Sequence, residues 1–215
     1  MSQIKRGAFI VLEGCDRCGK STQSRKLVEY LENCSIPVKY MAFPERSSNI
    51  GQFINAYLTN KQELNDETVH LLFTANRWEH KNHILNLLNS GTTLVVDRYA
   101  YSGLAYSVAK GMSRQWCMSP EHGLPRPDVV FYLKTHVGNL LDRGQFGEER
   151  YEKEDFQTKV ARTFEEIYQM EQHYWHPIDA NQTQDEIHTL IKQKTLEILK
   201  EVENTKPQVL DWLNK

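Results

Sequence analysis

The sequence predicts an α/β fold in which a central parallel five-stranded sheet is flanked by helices, and three observations carry that expectation. Runs rich in β-branched and aromatic residues lie at 7–13, 37–43, 92–97 and 128–134, with a short one at 176–179. Stretches of helical spacing separate them, such as Leu27, Val28 and Leu31, and then Leu71, Leu72, Ala75, Trp78, Ile84, Leu85 and Leu88 in a long segment beginning near Asn65. The first run leads directly into Gly14-Cys15-Asp16-Arg17-Cys18-Gly19-Lys20-Ser21-Thr22, which fits G-x-x-x-x-G-K-[ST] in its strand-to-helix setting. Strands alternating with helices imply right-handed crossovers, a sheet covered on both faces, and ligands at the carboxyl ends of the strands.

At 215 residues, with 40% hydrophobic and 25% charged positions, the chain reads as a single domain over residues 1–215, without linker, repeat or low-complexity tract. A net charge of −2 leaves no electrostatic footprint for a nucleic acid polymer, so a nucleotide partner is expected to be a small molecule. No apolar run approaches the roughly 18 residues of a membrane span, and residues 1–6 leave no room for a secretory leader. The expectation is a cytoplasmic or nuclear protein with no membrane partner, in which Cys15, Cys18, Cys34 and Cys117 are reduced.

The chemistry is expected just after each strand. After the first, Gly14 and Gly19 let the backbone curl so that successive N–H groups face phosphate oxygens, and Lys20 adds a full positive charge. The helix that begins near Gly19 adds its positive end, and the Ser21 hydroxyl is placed to coordinate the Mg2+ that accompanies a nucleoside triphosphate. Asp16 has the wrong sign for an anion cradle, which suggests an acceptor for a neighbouring substrate, the plain alternative being a capping or solvated acid. Arg17 puts a second cation within reach of the transferred group, as an arginine finger supplied in cis does.

After the second strand, Pro44-Glu45-Arg46 places a guanidinium fork, which taken alone would more often be surface decoration. Phe73 and Arg77 are four apart and share one helical face; taken alone, Phe73 reads as core. After the third strand stands Asp97-Arg98-Tyr99, with Asp97 where phosphate-loop enzymes put the acid of the Mg2+ shell. Gly144 to Gly147, within the segment 142–151, reads as a mobile loop with glycine hinges, and Asp179-Ala180 follows the last strand.

Together, the phosphate loop with Asp16-Arg17 inside it, Phe43-Pro44-Glu45-Arg46, Phe73-x-x-x-Arg77, Asp97-Arg98-Tyr99 and Arg143-Gly144 through Arg150-Tyr151 resemble the thymidylate kinases of the eukaryotic-type branch. The resemblance spans nearly the whole chain and includes Gly123 to Asp128. It implies a three-layer P-loop nucleoside monophosphate kinase fold with a lid at about 136–152, a homodimer through the long helices, and phosphoryl transfer from Mg2+-ATP to dTMP in dTTP synthesis. It implies catalytic roles for Arg17, Lys20, Asp97 and Arg98, and Mg2+ contacts from Ser21 and Asp97. ATP would be held by Gly14, Arg17, Cys18, Gly19, Lys20, Ser21, Thr22, Arg143, Ala180 and Gln182, the last standing where some relatives carry Lys.

For dTMP, the resemblance assigns the 3'-hydroxyl to Asp16, the phosphate to Arg46 and Arg98, stacking on thymine to Phe73, and its O4 to Arg77. Phe43, Ser102, Gly103 and Tyr106 would line the same pocket, while Tyr151 would pack on the deoxyribose and leave little room for a 2'-hydroxyl. In place of the lid arginines of other members stand Gly144, Gln145 and Phe146, consistent with Arg17 doing that work.

Two alternatives stay open at this level: a deoxynucleoside or other pyrimidine monophosphate kinase, and a nucleotide-binding switch or scaffold. The switch is disfavoured by the absence of N-K-x-D and of D-x-x-G after the third strand. The C-x-x-C of Cys15 and Cys18 reads as two tolerated small side chains. Its sharper reading is a redox-sensitive pair, with the thiol pKa lowered by Lys20 and the helix end.

Overall fold

The computed structural model describes residues 5–135, 150–151 and 153–212. Five strands form the central sheet: β1 (Phe9–Glu13), β2 (Val38–Ala42), β3 (Thr93–Asp97), β5 (Val129–Lys134) and β6 (Trp175–Asp179). They lie in the order β2-β3-β1-β5-β6, and every pairing is parallel. β1 and β3 are buried along their whole length, which is why they read as unbroken apolar runs closed by a single acid each, Glu13 and Asp97. The register sets Ala42 and Leu12 opposite Asp97, and Glu13 opposite Tyr132, so three carboxyl ends are level. Successive strands are laid down on one side of β1 and then on the other, and the crevice at that reversal opens between the ends of β1 and β3.

The helices are α1 (Lys20–Asn33), α2 (Asn49–Leu58), α3 (Asp66–Glu79), α4 (Lys81–Asn89), α5 (Ala100–Ala109), α6 (Arg114–Met118), α7 (Glu154–Glu171) and α8 (Gln184–Val202). Local chemistry sets several starts. Ser48 accepts from Gly51 N–H at 3.0 Å, Asn65 from Thr68 N–H at 2.9 Å, and Thr183 with Glu186 forms a capping box. One large core joins the sheet to its flanking helices; a smaller cluster of Ile54, Tyr57, Leu58 and Val69 packs α2 on α3, with Phe73 and Tyr151 at its edge.

Three features differ from the sequence expectation. The helical spacing from Asn65 onward is two helices, because His80 N–H turns to Arg77 O at 3.1 Å and Ile84 starts afresh on His80 O; no Pro or Gly marks that break. The fourth strand is preceded by the two-residue β4 (Pro125–Arg126), which pairs antiparallel with β7 (Gln208–Val209) and ties down the C-terminal segment. Trp212 is buried as expected of a packed tail, its indole N–H donating to Glu171 at 2.8 Å. Leu71, counted with the apolar spacing, is exposed, as is Trp116 on α6. Arg143 and all of the expected lid except Arg150 and Tyr151 lie outside the described residues. Among the described residues no helix is long and apolar enough to cross a membrane.

Candidate active site

The phosphate loop folds as its spacing requires. Gly14 and Gly19 have φ of 142° and 100°, and a Cβ on Gly14 would stand 2.6 Å from Leu133 O. Lys20 is buried and reaches back to donate to Cys15 O, with its Nζ 3.5 Å from Cys18 Sγ. Across the crevice, Ser21 Oγ donates to Asp97 Oδ2. Asp97 Oδ1 is buried and has no hydrogen-bond partner among the described residues.

Arg98 turns the chain at the end of β3 with φ of 66°. Its Nη1 donates to Gly14 O and to Ser102 Oγ, both at 3.1 Å, and its Nη2 pairs with Asp16 Oδ1. Burial opposes its charge, but the oxygens of Tyr106, Asp16, Asp97 and Glu13 outweigh that and push its pKa above the ordinary Arg value. Beneath it, fully buried Glu13 accepts from Tyr99 N–H at 2.8 Å, Ser102 N–H at 3.1 Å and Ser102 Oγ at 2.5 Å. Glu13 thereby serves as the N-terminal cap that α5 lacks in its own sequence. Burial raises the Glu13 pKa, against the hydrogen bonds from Ser102 and the charge of Arg98, which lower it.

Two clefts meet here. One, enclosing about 1130 Å³ with its open mouth, is lined by Arg17, Gly19, Lys20, Ser21, Thr22 and Asp97 on the phosphate-loop side. The other, about 670 Å³, is lined by Phe73, Arg77, Ser102, Gly103, Tyr106 and Tyr151 between α3 and α5. Asp16, Phe43, Pro44, Arg46 and Arg98 line both. Arg46 also donates to Asn55 at 2.9 Å, and the Phe43–Pro44 peptide bond is cis. Tyr151 donates to Tyr57 Oη at 3.3 Å and packs its ring against Tyr106 and Phe156.

Most of the expected residues are thus brought together, and four details bear on their expected roles. Arg77 lines the second cleft but is not a free fork: Nε donates to Glu121 Oε2 at 2.9 Å and Nη2 to Glu121 Oε1, because a buried guanidinium needs a buried counter-charge. Ser102 lines the cleft with its hydroxyl already engaged by Glu13 and Arg98. Gly14, Cys18, Ala180 and Gln182 line neither cleft: the Gly14 carbonyl is taken by Arg98, Cys18 is turned under the loop, Ala180 N–H bonds Lys134 O, and exposed Gln182 donates to Asp179 O at 3.3 Å. The lowered thiol pKa is overturned for Cys15, which burial, with Cys18 beside it, pushes up to about 12 despite the opposing pull of Lys20.

Sequence reasoning missed Glu13, Glu121 and Gln157. Glu13 carried a signal, an acid closing a buried apolar strand as Asp97 does. Gln157 carried only its position, one residue from Phe156 and three from Val160 on the inner side of α7; it is fully buried and bonds to Asp16. Glu121 sits in Ser-Pro-Glu-His, which reads as a surface turn, yet it is fully buried.

The family model for thymidylate kinase matches residues 12–191. Among curated proteins, the chain is 46% identical to the thymidylate kinase of Arabidopsis thaliana over 98% of this chain and 80% of that one. It is 48% identical to that of Plasmodium falciparum over 93% and 94% respectively. Among solved structures, the thymidylate kinase of Candida albicans superposes with a TM-score of 0.86 at 38% identity, covering 96% of this chain and 99% of that one.

Proposed function

We infer the roles of these residues from one premise: the chain belongs to the thymidylate kinase family, and it transfers the γ-phosphoryl group of ATP to dTMP, giving dTDP and ADP. The observation that carries the assignment is the shared border of the two clefts, where Asp16, Arg46 and Arg98 face both. ATP phosphates lie on the Gly19 to Thr22 side and dTMP on the Phe73 to Tyr106 side, so the two reacting groups meet at Arg98.

The acceptor phosphate has a second pKa near 6 and is mostly dianionic at neutral pH, so the obstacle is repulsion between anions rather than removal of a proton. Lys20, Arg17 and Arg98 hold positive charge along the transfer path, and no general base is called for. Arg46 holds the acceptor phosphate, Asp16 takes a sugar hydroxyl, and Phe73 presents an apolar plane to the base. Ser21 and Asp97 suit Mg2+: a hydroxyl and a carboxylate side by side, with Asp97 Oδ1 buried and unpaired among the described residues, match an ion that takes one or two protein ligands and completes its shell with phosphates and water. When bound, the ion would neutralise charge on the ATP phosphates.

Leu71 of α3 and Trp116 of α6 are exposed apolar side chains, and the Trp116 ring contacts His70 one residue before Leu71. This supports a homodimer built on that face. Separate assays with Mg2+-ATP and dTMP, dUMP, UMP, dCMP or thymidine, scored by ADP release and by the phosphorylated product, test the assignment. Preferential conversion of dTMP supports it, and product from thymidine alone would move the acceptor site.

A further inference from the structure

The base side of the second cleft ends on a buried charge cluster that the transfer chemistry does not use. Arg77 and Glu121 are 1% and 0% exposed. Glu121 takes Nε and Nη2 of Arg77, and Thr74 Oγ1 donates to Glu121 Oε1 at 2.7 Å while standing 3.4 Å from Nη2. Thr74 Oγ1 also lies 3.0 Å from His70 O, the other acceptor within reach of its single proton, so the three groups are tied into α3. Nη1 has no partner among the described residues, although Arg77 lines the cleft. On the opposite side, a Cβ on Gly103 would fall 2.5 Å from Nη2 and 3.3 Å from Nη1, so only glycine lets α5 approach the guanidinium this closely without displacing it.

A guanidinium has five N–H donors and no acceptor. Held on one edge by a carboxylate, it can offer a ligand donors only, from Nη1, and a buried donor left without an acceptor costs more than its bond is worth. We propose that Glu121 is a positioning residue for specificity: it locks Arg77 so that Nη1 reads the pyrimidine 4-position as an acceptor, admitting 4-oxo bases and rejecting 4-amino ones. The proposal rests on the assignment of the Phe73 and Arg77 side to the base. Without Glu121 the fork swings and pairs elsewhere, and a base bearing an amino group is no longer penalised by a fixed, unpaired donor. A site built around a fixed hydrogen-bond group discriminates strongly against the analogue that cannot pair with it, and loosening that group loses part of the discrimination.

dUMP and dCMP differ at the 4-oxo or 4-amino position and in the ring nitrogen beside it, so the ratio of their kcat/KM values isolates this reading from the 5-methyl group. In Glu121→Gln the ratio is expected to fall by about tenfold or more, through KM, with kcat for dTMP within about twofold of the parent. Thr74→Val, which removes only the bridging hydroxyl, is expected to move the ratio in the same direction by less, and Glu121→Asp to restore part of it. Thermal unfolding of each variant reports on stability separately, and where Glu121→Gln does not fold, Thr74→Val and Glu121→Asp decide. Arg77→Ala distinguishes the two levels. If it collapses the ratio while the Glu121 and Thr74 variants leave it unchanged, the positioning role is overturned and the base assignment stands. If Arg77→Ala itself leaves the ratio unchanged, the base assignment falls, and the role of Glu121 with it.

Discussion

Gln157 grips Asp16 from both ends: its Nε2 donates to Asp16 Oδ2 at 2.7 Å, and its Oε1 accepts from the Asp16 backbone N–H at 3.0 Å. One amide of α7, more than a hundred residues away in sequence, thus sets both the backbone and the carboxylate of a residue inside the phosphate loop. The same Nε2 donates to Tyr151 O at 3.0 Å and lies 3.5 Å from Tyr106 Oη, so the loop, the acceptor cleft and the last described stretch of the expected lid share one side chain.

Gln157→Leu removes these bonds while keeping the volume. If Asp16 takes the sugar hydroxyl, kcat/KM for dTMP falls by about tenfold, the worth of one or two hydrogen bonds, while KM for ATP moves less than about twofold. Steady-state kinetics with each substrate varied in turn measures this. Equal losses for both substrates would place Gln157 in loop integrity rather than in acceptor binding.

Arg17→Ala and Arg98→Ala each lower turnover by about a hundredfold or more, the range for a removed transition-state donor. Single-turnover rates at saturating substrate separate this from weaker binding. A near-normal rate in either variant removes the role given to that residue.

Cys15, pushed up to about 12, holds on the order of one thiolate in ten thousand at pH 8. Among the four thiols Cys34 is exposed, and Cys15, Cys18 and Cys117 are buried. A thiol reagent is therefore expected to label Cys34 first in the native protein and the others on unfolding, and diamide to leave activity unchanged. Fast loss of activity, with loss of two thiols, would restore the redox reading of the loop.

His70 is buried between Ser107 Oγ at 2.8 Å and Cys117 O at 3.0 Å. Its pKa is lowered by burial, with Arg77 and Lys110 adding to the effect and Glu121 and the Cys117 carbonyl opposing it. As pH falls below about 6.5 the unfolded chain takes up a proton that the folded chain refuses, so stability is lost toward acid and regained as pH rises. His70→Gln flattens that slope by up to about 1.4 kcal/mol per pH unit, the limit for one proton. Denaturant midpoints between about pH 5 and 7.5 test it. An unchanged slope would mean that His70 titrates alike in both states.

Much of the site was legible because its signals are local. A turn that must bring backbone N–H groups to phosphate needs Gly14 and Gly19 at fixed spacing, and an acid closing an apolar strand announces Asp97. Those constraints act within a few residues, as do the alternation of strands and helices and hence the parallel sheet. The sequence by itself therefore determined the fold class, the glycine-hinged loop between β1 and α1 and the residues at each strand end. Only the tertiary structure decided which long-range partners hold them: Glu13 on Tyr99 and Ser102, Gln157 on Asp16 and Glu121 on Arg77. The reason is desolvation. A buried charge or amide must be matched by another, and which one lies within reach follows from how the helices pack on the sheet, not from the neighbours along the chain. The same burial that makes those pairs obligatory raises the Cys15 thiol, against the lowering that Lys20 and the helix end suggest in the sequence.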